Sequence, residues 1–256
     1  MSPSGEPAGR ASAGVPASGL PLAWRIEHRR GPVSDLLALD DPPKDASRLA
    51  RVCTVEGPGL VLGSTQKAGA ADERRAAGAG VEVLRRRSGG GAVLLRPGRQ
   101  VWADFFVAAT DPLWHDDVTL AADWVGRLWA SAVARFTTAV CSVHTGRLVA
   151  DRWGRLVCFA GMGPGEVFVN GRKVVGVSQR RSRDRVRIQT AARLQPADGQ
   201  AAGSPAADGL DELDLLDLSA AERAEAQAVL ASRSTSVAAT EVELTESLLQ
   251  GLQHSG

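Results

Sequence analysis

The sequence is short of the residues that covalent staples and metal centres use. Its three cysteines, Cys53, Cys141 and Cys158, are odd in number, far apart and form no C-x-x-C pair. Neither a disulfide framework nor a structural zinc site is expected. The four histidines, His28, His115, His144 and His254, show no H-x-x-x-H or other ligand spacing, so no metal site is expected. His115, in Trp114-His115-Asp116-Asp117, reads as part of a helix start. No window approaches 18 consecutive apolar residues, which excludes a transmembrane helix and gives no membrane partner. The first twenty residues, MSPSGEPAGRASAGVPASGL, lack the apolar stretch of a secretory signal. With the cysteine pattern, that makes a cytoplasmic protein the expectation. Charge of one sign is also missing: 30 basic residues face 29 acidic ones, for a net charge of +1. A field that would gather nucleic acid is therefore not expected. Six tryptophans are scattered along the chain rather than grouped as a base-stacking platform. Walker, Rossmann and G-x-S-x-G patterns are absent.

What is present is ordinary globular material. Of 256 residues, 44% are hydrophobic and 23% charged, enough for one large domain or two small ones and for a sizeable core. Residues 1–20 read as a disordered tail. Leu22, Trp24 and Ile26 alternate as in a half-buried strand. Further strands are expected around 52–55, 60–62, 81–87, 92–95, 101–107, 155–159 and 165–169, and from Lys173 to Ser178, with one more near Val186 and Ile188. Leu36, Leu37 and Leu39, after Ser34 and Asp35, suggest a short helix. The spacing of Val118, Ala121, Val125, Leu128, Trp129, Ala132 and Phe136 predicts a helix over 117–136. Asn170-Gly171 has the chemistry of a type I′ hairpin turn. Residues 196–210 read as a linker. Two closing helices begin at the capping boxes Ser219/Glu222 and Thr240/Glu243. The expected fold is α+β, a mixed and largely antiparallel sheet with flanking helices. Residues 21–195 would form the main domain, and 211–256 a helical segment packed on it.

Three segments can carry chemistry. Arg85-Arg86-Arg87-Ser88-Gly89-Gly90-Gly91-Ala92-Val93 puts three glycines beside arginines. Bare backbone would let a ligand use main-chain N–H groups, and guanidinium groups would grip a carboxylate or phosphate. The same residues suit a flexible turn beside a solvated basic face. The second segment surrounds Lys173. Only three of the 30 basic residues are lysines, Lys44, Lys67 and Lys173, the rest being arginines. A lysine at the mouth of a hairpin strand then suggests a need for a compact ammonium that can meet a carboxylate, a phosphate or a departing oxygen. Gly176 would leave room for a ligand nearby. An exposed hairpin lysine is the plainer alternative. The third is Cys158, in Leu156-Val157-Cys158-Phe159-Ala160-Gly161, where an isolated cysteine is ordinarily a small core residue.

Taken together, these segments resemble the catalytic domain shared by lipoate–protein ligases, octanoyltransferases and biotin–protein ligases, and most of all the lipoate–protein ligase A family. Gly63-Ser64-Thr65-Gln66 is similar to its G-x-x-Q strand end. Arg85 to Val93 matches R-R-x-[ST]-G-G-G-A-V, and Asn170 to Gln179 resembles G-[RK]-K-[IV]-x-G-x-x-Q, with Lys173 at the family's catalytic lysine. The likeness spans roughly residues 22–194. The G-R-G-R-x-G motif of biotin ligases is absent. The resemblance implies activation of lipoate or octanoate by ATP and Mg²⁺, then attack by a lysine of a lipoyl domain, in a 2-oxoacid dehydrogenase or the glycine-cleavage H protein. It also implies an acyl-adenylate site at Arg85, Arg86, Ser88, Gly89, Gly90, Gly91, Gln66, Gly176 and Ser178. Departures are Arg187-Ile188-Gln189-Thr190 where the family has a histidine-glycine-threonine stretch, Leu94-Leu95 where it often has Tyr-His, and a C-terminal segment too short for an accessory domain. Cys158 lies 15 residues before Lys173, and Glu166 follows Cys158-Phe159. That pattern resembles the octanoyltransferase branch, in which the thiolate would take octanoyl from acyl carrier protein. A non-catalytic ligand binder on the same fold is a third reading.

Overall fold

The computed structural model describes residues 23–42, 46–195 and 210–253. The 1–20 tail and nearly all of the 196–210 linker lie outside the described residues. In chain order the elements are β1 (Arg25–Gly31), α1 (Val33–Ala38), β2 (Arg48–Val55), β3 (Gly59–Leu62), α2 (Glu73–Gly78), β4 (Glu82–Arg85), β5 (Val93–Leu95), β6 (Gln100–Ala108), α3 (Val118–Ala121), α4 (Asp123–Ala134), β7 (Cys141–Val143), α5 (Arg152–Leu156), a 3₁₀ turn (Cys158–Ala160), β8 (Val167–Val169), β9 (Arg172–Arg181), β10 (Arg185–Arg193), α6 (Ala220–Arg233) and α7 (Glu241–Gln253).

Seven strands form one sheet in the order β1-β2-β6-β10-β9-β8-β7, and three form a second in the order β4-β3-β5. Pairing is antiparallel except at β1–β2 and β3–β4. The fold is α+β with mixed, largely antiparallel sheets. Asn170 and Gly171 both take positive φ, 47° and 74°, as the two central residues of a type I′ turn must. They join β8 to β9, so Lys173 enters the sheet on the second residue of its strand.

Three apolar clusters hold the layers. Trp129, Leu128 and Val125 of α4 and Leu244, Leu248 and Leu252 of α7 pack on Val101, Phe105 and Ile188 of the large sheet. Each such side chain contributes about 1.5–3 kcal/mol by leaving water. A second cluster joins Leu60 and Leu62 of the small sheet to Trp153, Phe159, Leu213 and Leu230. A third, with Val33 and Leu36 of α1, Val61, Leu95 and Trp102, lies where the two sheets face each other. The candidate site opens beside it.

Three expectations change. Residues 155–159 are not a strand but the end of α5 and the 3₁₀ turn. The Asp151 side chain accepts from the Gly154 N–H at 2.9 Å and starts a one-turn helix that apolar runs do not reveal. The 117–136 helix is two helices meeting at Ala122, and the first is capped by Asp117. In β1, Ile26 is 38% exposed while Glu27 is buried, because Glu27 pairs with Arg51 of β2 at 3.2 Å.

Candidate active site

Between the sheets lies a mostly apolar cavity, lined by Val61, Val93 and Leu95 from the small sheet, Trp102, Gly176, Val177 and Ser178 from the large one, and Leu37, Arg86, Cys158 and Phe159 among others. At Leu37, Arg86 and Gln189 it adjoins a second hollow lined by Arg85, Arg87, Arg180 and Arg187. An apolar slot with a basic mouth suits an acyl chain whose head carries, or is delivered by, an anion.

The glycine motif builds the slot rather than forming a loose turn. The Cys158 N–H donates to the Ala92 carbonyl at 2.9 Å, and the Ala92 N–H to the Leu156 carbonyl at 2.8 Å. A Cβ on Gly91 would lie 2.5 Å from the Val157 carbonyl carbon, so only glycine permits this approach. Arg86, buried, donates to the carbonyls of Gly89, Gly91 and Val61. Burial pushes its guanidinium down from the usual arginine range. Arg85 donates to the carbonyls of Gly63 and Gln66 at 2.8 and 2.7 Å. Gln66 straps the same loop, accepting from the Gly63 N–H and donating to the Leu156 carbonyl. Ser88 donates to the Gln189 side-chain oxygen at 2.9 Å and shares a 3.0 Å hydrogen bond with Ser178. Ser178 and Gln189 are register partners on β9 and β10. Gly89 faces open space.

Lys173 is 1% exposed. Its ammonium donates to Glu166 Oε1 at 2.5 Å, to the Cys158 carbonyl at 2.6 Å and to the Gly161 carbonyl at 3.3 Å, with Cys158 Sγ 3.9 Å away. It sits behind the cavity wall, whereas Cys158 is part of that wall. Gly176 serves the thiol: a Cβ there would stand 3.1 Å from Cys158 Sγ. The structure thus puts Arg86, Cys158, Gly176 and Ser178 on the cavity wall, with Lys173, Ser88 and Gly91 packed behind it against Cys158 and Ser178. The donors of Arg85 and Arg86 go to loop carbonyls and those of Arg187 to Asp104, which leaves Arg87 and Arg180 at the mouth. Sequence reasoning passed over Arg87 within its own arginine triplet, since only tertiary contacts distinguish the three. It also gave Gln189 and Glu166 no role. Gln189 stands where the family's histidine-glycine-threonine stretch was sought, and the spacing of Glu166 from Cys158 was its available signal.

The family model for the lipoyl protein ligase A/B catalytic domain matches residues 38–196, well over half of the chain. No curated protein sequence matches. Among solved structures, the chain is similar to a bipartite lipoate protein ligase of an archaeal lipoylation system, studied with its E2 lipoyl domain, from Thermoplasma acidophilum (TM-score 0.62, 13% identity, covering 90% of this chain and 84% of that one). It is also similar to lipoate-protein ligase A bound with ATP (TM-score 0.54, 14% identity, 90% and 94% covered). A T. acidophilum protein with bound lipoic acid gives a TM-score of 0.52 at 16% identity, with 91% and 95% covered. At these identities the likeness concerns the fold.

Proposed function

Because the chain belongs to the lipoyl protein ligase A/B catalytic-domain family, we propose that it attaches an octanoyl or lipoyl group to a lysine of a lipoyl domain, by way of a thioester on Cys158. The observation that carries this route is that Cys158 is part of the cavity wall and its Sγ stands 3.9 Å from the Lys173 ammonium, whose N–H groups are bonded to Glu166 and two loop carbonyls. In the first step the Cys158 sulfur attacks the carbonyl carbon of an octanoyl thioester on acyl carrier protein. The carrier's thiol leaves, taking up the proton that the Cys158 thiol gives up. In the second step the amine of the acceptor lysine attacks the acyl-cysteine carbonyl. An amide forms, the amine loses a proton, and the Cys158 thiol is regenerated. In both steps negative charge gathers on a carbonyl oxygen beside the sulfur, where Lys173 can neutralise it. The apolar walls hold the chain and exclude water.

The basic mouth favours a second reading, ATP-dependent ligation through an acyl-adenylate. Arg87 and Arg180 would face the phosphates of the nucleotide, which supplies the leaving group when bound. Intact-mass measurement separates the routes. Octanoyl carrier protein should load one octanoyl group onto the protein, an apo lipoyl domain should remove it, and Cys158→Ser should abolish both. Transfer from octanoate and Mg-ATP that survives Cys158→Ser would establish the adenylate route instead.

A further inference from the structure

The scheme above gives the Lys173 ammonium a task and its buried partner none. Glu166 comes from the turn before β8 and is 4% exposed. Its Oε1 accepts from Lys173 at 2.5 Å and from the Val177 N–H at 3.3 Å, and its Oε2 accepts from the Gly163 N–H at 2.6 Å. Lys173 also donates to the carbonyls of Cys158 and Gly161. The stretch from Cys158 to Glu166 is therefore tied to one nitrogen at both ends and in the middle. Nothing of this kind is required merely to close a loop.

The charges around this nitrogen come from several elements. Arg86, after β4, acts electrostatically on Cys158 but is satisfied by carbonyls. Arg193 of β10 lies 4.8 Å from the Phe159 ring, whose centroid is 5.4 Å from Lys173 Nζ, and it has Glu212 as its own counterion. Arg233 of α6 donates to the Ala160 carbonyl and pairs with Asp151. The carboxylate bonded to Lys173 is that of Glu166. An ammonium shut away from water without a counterion sheds its proton, and carbonyl dipoles do not replace the missing charge.

We infer that Glu166 is a positioning residue for acyl transfer: its carboxylate keeps Lys173 charged and held 3.9 Å from Cys158 Sγ, beside which the oxyanion forms. This rests on the acyl-attachment reading above. Burial pushes the Glu166 carboxyl up, while the Lys173 ammonium and the two backbone N–H groups pull it down. Burial is the larger influence and the net direction is upward; the contact with Lys173 is the largest of those opposing it.

Glu166→Gln tests this, because it keeps the shape and an acceptor oxygen for Gly163, Val177 or Lys173 and removes the charge. Activity is followed by intact mass with octanoyl carrier protein and an apo lipoyl domain. The expected result is a kcat lower by on the order of 100-fold, about what one oxyanion donor contributes. KM should stay within about twofold, and the alkaline limb of the kcat–pH profile should move to lower pH. Glu166→Asp, which restores a carboxylate, should recover most of the activity and an unshifted limb. A Glu166→Gln protein with wild-type kcat and profile would overturn the inference and leave Glu166 as a loop anchor. If that variant fails to fold by circular dichroism, Glu166→Asp decides: a retained profile supports the role of charge, and a loss as deep as that of Lys173→Met refutes it. Lys173→Met, run alongside, keeps the two claims apart. Full activity without Lys173 would sink the acyl-transfer reading itself. An inactive Lys173→Met beside an unaffected Glu166→Gln would sink only the role given to Glu166.

Discussion

Arg187 and Asp104, diagonal neighbours on the paired strands β10 and β6, meet at 2.5 Å, and Lys173 and Glu166 meet at the same distance behind Cys158. Both pairs are buried, yet their surroundings differ. Asp104 takes two donors from Arg187 on one oxygen and the Trp102 indole N–H on the other. The planar guanidinium fits this arrangement and leaves little to exchange. Lys173 instead divides its protons among a carboxylate and two loop carbonyls, the longest contact being 3.3 Å. A round ammonium can trade that weak partner for an incoming oxygen. The sheet pair is built to stay, and the pair behind Cys158 is built to give one bond away. That contrast explains the choice of lysine in a chain whose cations are nearly all arginine.

The largest effect should come from breaking the sheet pair. Arg187→Ala would strand Asp104 in a buried setting, and losing one partner of such a pair costs about 3–5 kcal/mol. Urea denaturation should register this in full, with the acylation rate per folded molecule changing far less. A variant that unfolds no more easily but loses acylation would erase the distinction between the two pairs. Gly176→Ala should do the reverse. Its Cβ would stand 3.1 Å from Cys158 Sγ, tight enough to displace the thiol by tenths of an ångström. Misplacement of a reacting atom is costly, so the acylation rate should fall by about tenfold, with little movement in the urea midpoint. An unchanged rate would mean that the sulfur is not the reacting atom.

Different parts of this arrangement were legible in the sequence for different reasons. The β8–β9 hairpin was, because Asn170-Gly171 admits essentially one turn, and so was the start of α6, because Ser219 and Glu222, three residues apart, cap each other. Local chemistry settles such features. The strand assignment at 155–159 failed because Asp151, Gly154 and Gly161 determine the fold there: a Cβ on Gly154 would lie 2.8 Å from Gly161 Cα, a packing fact that apolar runs do not encode. Lys173 could be singled out by its rarity and by the family motif. The assignments within Arg85-Arg86-Arg87 could not, because which acceptor a guanidinium reaches depends on loops brought in from elsewhere. Glu166 was visible only as a spacing until the fold placed it on the ammonium.

A third ion pair extends the comparison to the surface and carries the smallest effect. Arg233 meets Asp151 at 2.8 Å where the carboxylate is 46% exposed, and through its other nitrogen Arg233 donates to the Ala160 carbonyl. The Arg233 hydrogen bond first, and the Gly154 N–H second, hold the Asp151 carboxyl down at about 2. A depressed folded-state value means that the stabilisation is complete above the ordinary carboxylate value of 3.8 and is lost as pH falls from there through about 2. Exposure and salt reduce it to at most about 1 kcal/mol. Asp151→Asn should therefore lower the urea midpoint slightly at neutral pH, and less still in 1 M salt. The gap to the wild type should close between pH 4 and about 2. A gap that persists at the acid end would mean that Asp151 acts as the cap of α5 through geometry alone, with its charge contributing nothing to the turn that carries Cys158.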